Sequence, residues 1–166
     1  MGLPSRHNQG YMVNSTVIIG DRGVILVDSG GTDLVGQHLP KAIAKITPKP
    51  VTHIINTHHH GDHHLGNVAF KGAEILSSEQ CRALVVKTGE EWVQIMESLV
   101  GRKFPGTRPV PAMVTFQEES TSDRNLQGVK MQLGVPRGSH TPGDMMVYLP
   151  DDKVLIGGDI PCFHIS

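Results

Sequence analysis

The segment that decides the fold is His58-His59-His60-Gly61-Asp62-His63, which places three imidazoles and a carboxylate at useful spacing within six residues. The residues before it, 51–56, form an apolar run that predicts a buried strand, so the segment leaves the carboxyl end of that strand. Imidazole nitrogens and carboxylate oxygens are the ligands that zinc and similar metals accept in open, catalytic sites. The segment therefore predicts a metal site, and a histidine-rich surface loop is the alternative.

The spacing within this segment suggests two metal ions. His58 and His60 are two residues apart, so on an extended stretch their side chains lie on the same side and can bind one ion together. Asp62 and His63 are adjacent and point elsewhere, which suits a second ion nearby.

Two downstream segments supply further candidate ligands. His140 lies in a turn rich in Gly and Pro, residues 138–144, between two predicted strands. Taken alone it would be an ordinary surface histidine, but beside the upstream segment it is a candidate ligand. Asp159 ends another predicted strand after two glycines, and its carboxylate could bridge two cations or simply end a turn.

These segments, together with Leu26-Val27-Asp28-Ser29-Gly30, resemble the metallo-β-lactamase superfamily over residues 13–161. The resemblance implies an α+β fold, an αββα sandwich with a dinuclear metal site that holds zinc or, in some members, iron or manganese. It implies that the first metal is held by His58, His60 and His140. It implies that the second is held by Asp62 and His63, that Asp159 bridges the two, and that Asp28 and Thr141 support the ligands without binding metal.

Parts of the resemblance are closer to one branch of the family. The acid at Asp159 and the segment His140-Thr141-Pro142-Gly143 look like glyoxalase II, whereas Asp144 stands where that enzyme usually has His. The implied reaction is hydrolysis, in which a metal-bound hydroxide attacks a small acyl substrate such as a thioester, ester or lactam. Asp62 would orient the nucleophile and pass its proton on. The alternatives are a metal-binding fragment without turnover and a di-iron redox protein.

The family's second metal takes one more histidine from a strand beyond the bridging acid, and this chain ends at Ser166. The resemblance therefore implies a domain that is incomplete after Asp159, with His164 as a weak substitute ligand. A fragment, a homodimer that completes the sandwich and a divergent minimal form are the three explanations.

Composition sets broader limits. The 166 residues, 38% hydrophobic and 19% charged, predict one domain spanning residues 1–166. A net charge of −1 with scattered Lys and Arg argues against nucleic acid, and no apolar run is long enough for a membrane span. Residues 1–6 lack the apolar segment of a signal peptide, and the localisation stays open. Cys81 and Cys162 are expected to be free thiols.

The chain also carries signals for individual elements. The segments 16–20 and 24–28 predict a hairpin, and Asp33 is expected to cap a helix that runs to about residue 46. Helices are predicted at 78–87 and 90–100, the second with Trp92, Ile95, Met96 and Leu99 on one core-facing side. The remaining expectations are a loop at 101–113 and strands at 73–76, 114–116, 129–135, 145–149 and 153–156. His59 and His64 are expected to be solvated.

Overall fold

The computed structural model describes residue 8 and residues 12–160, which form two sheets and three α-helices. The first sheet has the order β1-β2-β3-β4-β5, in which β2 to β5 are parallel and β1 is antiparallel to β2. The second sheet, β6-β7-β8-β9, is antiparallel. The strands are β1 (Thr16–Ile19), β2 (Val24–Val27), β3 (Val51–Ile55), β4 (Glu74–Ser78), β5 (Val114–Phe116), β6 (Ser120–Leu126), β7 (Val129–Val135), β8 (Met146–Leu149) and β9 (Val154–Ile156). The helices are α1 (Asp33–Ile43), α2 (Gly61–His64), a 3₁₀ helix (Leu65–Ala69) and α3 (Glu79–Val100).

The two sheets pack face to face around an apolar core. Because side chains alternate along a strand, each strand of the first sheet contributes one set of residues to this core and the other set to the opposite face. The core between the sheets contains Ile25, Val27, Ile55, Leu76, Met131, Leu133, Val135 and Val147. The opposite face packs against α1 in a second core that contains Val24, Leu26, Ile54, Ile75, Val35, Leu39 and Ile43. Burial of each such side chain contributes roughly 1.5–3 kcal/mol.

This arrangement confirms the predicted α+β fold with two stacked sheets. The predicted hairpin is β1 and β2, and β3 precedes the histidine segment as expected. Within residues 12–160, no helix is both long and apolar enough to cross a membrane.

Helix α3 differs from the prediction of two shorter helices. It is continuous for 22 residues, and Ser78 caps it, as predicted, by accepting a hydrogen bond from the Cys81 amide. The sequence suggested a break near Gly89, but this glycine lies inside the helix. A Cβ at this position would come within 2.5 Å of the Pro109 side chain, so the close contact with Pro109 requires glycine. The core-facing side of α3 contains Met96, whereas Ile95 and Leu99 are 41% and 50% exposed, so the prediction was wrong for those two residues.

Two further predictions were wrong in detail. Helix α1 is capped by Thr32, whose hydroxyl accepts from the Val35 amide at 3.2 Å, and it ends at Ile43 rather than near residue 46. Asp33 instead accepts a hydrogen bond from the hydroxyl of Thr107 at 2.6 Å. Strand β6 was not predicted at all, because its sequence is polar and lacks an apolar alternation.

The fold brings the ends of both sheets to one rim. The parallel strands β2 and β3 end side by side, and the carbonyl of Thr57, just after β3, accepts a hydrogen bond from the Met145 amide before β8. Gly158, after β9, approaches Thr57 so closely that a Cβ would lie 2.5 Å from the Thr57 hydroxyl oxygen, and its φ of +59° also favours glycine. The loops that follow β2, β3 and β9 and precede β8 therefore converge.

Candidate metal centre

Asp28 links the backbone ends at this rim. It is buried at the end of β2 with a φ of 60°, a left-handed conformation that Asp tolerates better than most residues. One carboxylate oxygen accepts from the Thr57 amide at 2.8 Å, and the other accepts from the Thr57 hydroxyl at 2.8 Å and from His63 Nδ1 at 2.7 Å. Asp28 therefore fixes the start of the histidine segment and the helix that follows it.

The hydrogen bonds of Asp28 also set the tautomer of His58. The Thr57 hydroxyl donates its single proton to Asp28, so His58 Nδ1, which lies 3.0 Å from that hydroxyl, must be the donor in their contact. The Nε2 atom of His58 is then left with a lone pair, and it is buried without a hydrogen-bond partner in the described residues. Burial lowers the pKa of His58, as do the neighbouring His63, His60 and His140, which keeps the ring in the neutral form that binds metals.

His63 presents its own Nε2 to the same space. Nδ1 donates to Asp28, and Nε2 lies 3.4 Å from Asp159 Oδ1 and 3.9 Å from Asp62 Oδ2. Burial alone would lower the pKa of His63, but the charges of Asp28, Asp62 and Asp159 and the bond to Asp28 outweigh it and raise the pKa to about 9. The carboxylates of Asp28, Asp62 and Asp159 therefore favour a positive charge at His63.

Three histidines meet as the sequence suggested. The ring centroids of His58, His60 and His140 lie 4.7–5.0 Å apart, and the rings are steeply inclined to one another. His60 Nδ1 is 3.3 Å from His140 Nε2. Each ring offers one nitrogen within 4.8 Å of the others, so the three form a group that could hold one metal ion.

A second group contains His58, His63 and Asp159, again with ligand atoms within 4.8 Å of one another. Asp159 lies between the two groups, because its Oδ2 is also 3.9 Å from His140 Nε2. Asp62 belongs to neither group and lies beside His63, and burial raises the pKa of its carboxyl. The six residues predicted as ligands are therefore neighbours, although His58 rather than Asp62 completes the second group.

Asp144 holds the loop that carries His140. Its buried carboxylate accepts hydrogen bonds from the hydroxyl of Ser139 and from both the amide and the hydroxyl of Thr141, so it bonds the residues on either side of His140. Thr141 therefore supports this loop through Asp144. The Ser78 hydroxyl also donates to the Gly143 carbonyl, which attaches the loop to the start of α3.

Replacing Asp144 with alanine should loosen the loop of His140 and weaken the binding of a metal ion at this centre by about 10–100-fold, the usual cost of losing a group that orients a metal ligand. Competition with a chromophoric chelator measures this affinity. Asp151→Ala, which removes an exposed carboxylate from the turn between β8 and β9, is the matched control. An unchanged affinity in the Asp144 variant would show that His140 does not need this support.

The remaining histidines differ from the expectations in part. His64 is fully buried rather than solvated, burial lowers its pKa to about 3, and both its ring nitrogens lack partners in the described residues. His59 is partly buried, and burial lowers its pKa to about 4. Cys81 is a buried free thiol, as predicted, whereas Cys162 and His164 lie outside the described residues.

Three residues at the centre were not predicted as part of it. Thr57 and Trp92 contact candidate ligands through a hydroxyl and a ring, and Asp144 bonds the residues on either side of His140. Thr57 precedes the histidine segment, and its position next to His58 was a usable signal. Asp144 follows Thr141 by three residues, and this spacing, which suits a local turn bond, was a usable signal as well.

The model of the metallo-beta-lactamase superfamily matches residues 8–160, and the chain belongs to this superfamily. It is similar to a linear primary-alkylsulfatase of Pseudomonas sp., with 28% identity over 167 residues that cover 83% of this chain and 31% of the relative. It is also 27% identical over 148 residues to a metallo-beta-lactamase type 2 of a Bacillus species, covering 87% of this chain and 49% of the relative.

Solved structures share the fold. The chain superposes on a metallo-beta-lactamase from Pontibacter korlensis with a TM-score of 0.67 and 24% identity, covering 87% of this chain and 59% of the other. The sec-alkyl sulfatase PisA1, as a double mutant, gives a TM-score of 0.67 at 20% identity and covers 89% of this chain and 28% of the other. The chain thus spans between about a third and a half of the length of the two curated relatives described above.

Proposed function

We propose that this protein is a metal-dependent hydrolase that binds two zinc ions at the rim of its sheets and cleaves a small acyl substrate. The observation that carries the proposal is the convergence of six candidate ligands at one rim, with three histidines in the first group and one histidine and two carboxylates beside it. The relatives support it, because β-lactamases and alkylsulfatases are both hydrolases.

The residues fit zinc. The first group offers three imidazoles, and beside it His63 offers an imidazole and Asp159 a carboxylate, which are donor types that zinc accepts. The Nε2 atoms of His58 and His63 are buried without hydrogen-bond partners in the described residues, and a buried polar atom left without a partner costs about 1–3 kcal/mol. A bound cation would satisfy both atoms.

When bound, zinc supplies a water molecule with a lowered pKa and a positive charge that polarises the group under attack. The protein's own residues prepare this chemistry. Asp159 lies between the two groups and would bridge the metals. Asp62 lies at their side with a raised pKa, so we assign it the role of accepting a proton from the nucleophile and passing it to the leaving group.

Thioesters, esters and lactams are the substrates that we propose first. Sulfate esters form a second class, which the 28% identity to an alkylsulfatase favours. The two classes differ in the atom attacked, a trigonal carbon or a tetrahedral sulfur, so activity on one does not imply activity on the other.

The test combines a metal count with a substrate panel. Purified protein loaded with zinc should contain two ions per chain by elemental analysis, and it should hydrolyse nitrocefin, a p-nitrophenyl ester, a thioester or p-nitrophenyl sulfate. Dialysis against a chelator should reduce both metal content and hydrolysis to background, and added zinc should restore them. Protein that binds zinc but cleaves none of these compounds would favour a metal-binding role without turnover. Iron with oxygen reduction would favour the di-iron alternative.

A further inference from the structure

Trp92, the only tryptophan of the chain, contacts the histidine segment from helix α3. Its ring centroid lies 4.7 Å from that of His60, with the two planes inclined at 45°. It also lies 6.5 Å from the ring of His59 in an edge-on arrangement. Helix α3 therefore reaches a metal centre whose candidate ligands all come from loops and from α2.

The other three candidate histidine ligands are held through polar contacts. His58 bonds to Thr57 and His63 bonds to Asp28, while the loop of His140 is held by Asp144. Such partners fix the orientation of a ligand before the metal arrives.

His60 is held differently. Among the described residues its hydrogen-bond contact is with His140 Nε2, which is itself a candidate ligand of the same ion. That contact must be replaced when a metal binds between the two nitrogens. The orientation of the His60 ring in the metal-bound protein therefore depends on the rings that pack against it, and Trp92 is the one among them that is not a histidine.

Trp92 is well placed to give rigid support. It packs on a small core formed by Leu65, Val93 and Met96, which joins α3 to the 3₁₀ helix. Its Cβ also lies against Gly61, where an added Cβ would come within 2.8 Å of it. The residue after His60 is thus pressed directly against α3, so the loop has no room to move toward the helix.

We propose that Trp92 is a positioning residue that fixes the imidazole of His60 in the first metal group. This inference rests on the metal site proposed above. The ring does not bind the metal; it limits the rotation of His60, as Asp28 limits the rotation of His63.

The experiment compares three variants for zinc affinity, by chelator competition, and for the visible absorption of the cobalt-loaded protein. Trp92→Leu removes the aromatic ring but keeps an apolar side chain, and zinc affinity should fall about tenfold or more, the usual cost of losing a group that orients a ligand. The cobalt spectrum should change, because its shape and intensity report the ligands and geometry at the ion. Trp92→Phe keeps a ring against His60 and should restore affinity and spectrum. Phe104→Leu, which alters a buried aromatic residue in the loop after α3, is the matched control and should behave as wild type.

The wild-type protein provides a test that needs no variant. Because Trp92 touches His60, cobalt bound to the first group should quench tryptophan fluorescence in proportion to occupancy. Wild-type affinity and an unaltered cobalt spectrum in Trp92→Leu, or no quenching in the wild type as cobalt binds, would overturn the inference and leave the proposed function standing. A wild-type protein that binds neither zinc nor cobalt would overturn both.

Discussion

Replacing His58 with alanine should remove the metal ion of the first group and reduce hydrolysis to the background rate. The one free lone pair of His58, on Nε2, can bind a single ion, and without it only His60 and His140 remain as ligands there. The loss of a direct ligand should weaken zinc binding by more than the roughly 10–100-fold that the loss of an orienting partner costs. Elemental analysis after dialysis and the substrate panel measure the two effects.

His38→Ala is the control for this variant, because His38 is an exposed histidine on α1. It should keep both metals and full activity. Thermal unfolding of the metal-free proteins shows whether the His58 variant still folds. A folded His58→Ala protein that retains both metals or its turnover would contradict the assignment of this residue as a metal ligand.

The ligand set could be predicted because its chemistry is concentrated where strands end. Four of the six candidates lie within eight residues of the end of β3, and parallel strands place their carboxyl ends on one edge. Asp28 ends the neighbouring strand, so its proximity to the segment follows from the pairing of β2 with β3. Asp159 and His140 follow or precede strands of the second sheet, and the sequence marked them as candidates by their turns, while the resemblance to a known family assigned their roles.

The error at His64 has a definite physical origin. The expectation that His59 and His64 point away from the ligands assumed an extended backbone throughout the segment, in which side chains alternate between two faces. Residues Gly61–His64 instead form a helical turn, where successive side chains differ by about 100°. His64 consequently points into the protein, where it is fully buried.

The role of Trp92 could not be predicted for a related reason. The sequence predicts a helix that breaks near Gly89, which leaves the direction of its second half undetermined. In the structure Gly89 packs against Pro109, and the helix is continuous to Val100. It therefore places Trp92 beside His60, which lies 32 positions earlier. Contacts of this kind depend on the packing of a distant loop, which local sequence patterns do not report.

Asp28→Asn should weaken metal binding at both His63 and His58 while keeping the fold. Asparagine has nearly the same shape as aspartate and also tolerates the φ of 60° at this position. Its oxygen can still accept from the Thr57 amide, so its NH₂ group then occupies the position of Oδ2, beside His63 Nδ1. Asp28→Ala is a poorer test, because it leaves buried donors of Thr57 and His63 without an acceptor, at about 1–3 kcal/mol each.

The expected effect follows from the proton on His63. In the native protein Nδ1 donates to Asp28, so the metal can take the lone pair of Nε2. An NH₂ group opposite Nδ1 would instead donate to it and favour the tautomer with its proton on Nε2, which cannot bind a metal. The Thr57 hydroxyl also loses its acceptor and can donate to His58 Nδ1 instead, which favours the tautomer of His58 with its proton on Nε2. Zinc should therefore bind about 10–100-fold more weakly at both His63 and His58, a cost typical of lost orienting partners.

The measurement is the number of zinc ions per chain together with the ¹⁵N chemical shifts of the histidine ring nitrogens, which distinguish the two tautomers. Asp123→Asn, an exposed change of the same kind on β6, should leave both unchanged. Binding of two zinc ions with native affinity by the Asp28→Asn protein would show that the carboxylate does not control the tautomer of His63. Weaker zinc binding together with shifted tautomers of His63 and His58 would show that a residue outside both metal groups controls metal binding through the protons on its ligands.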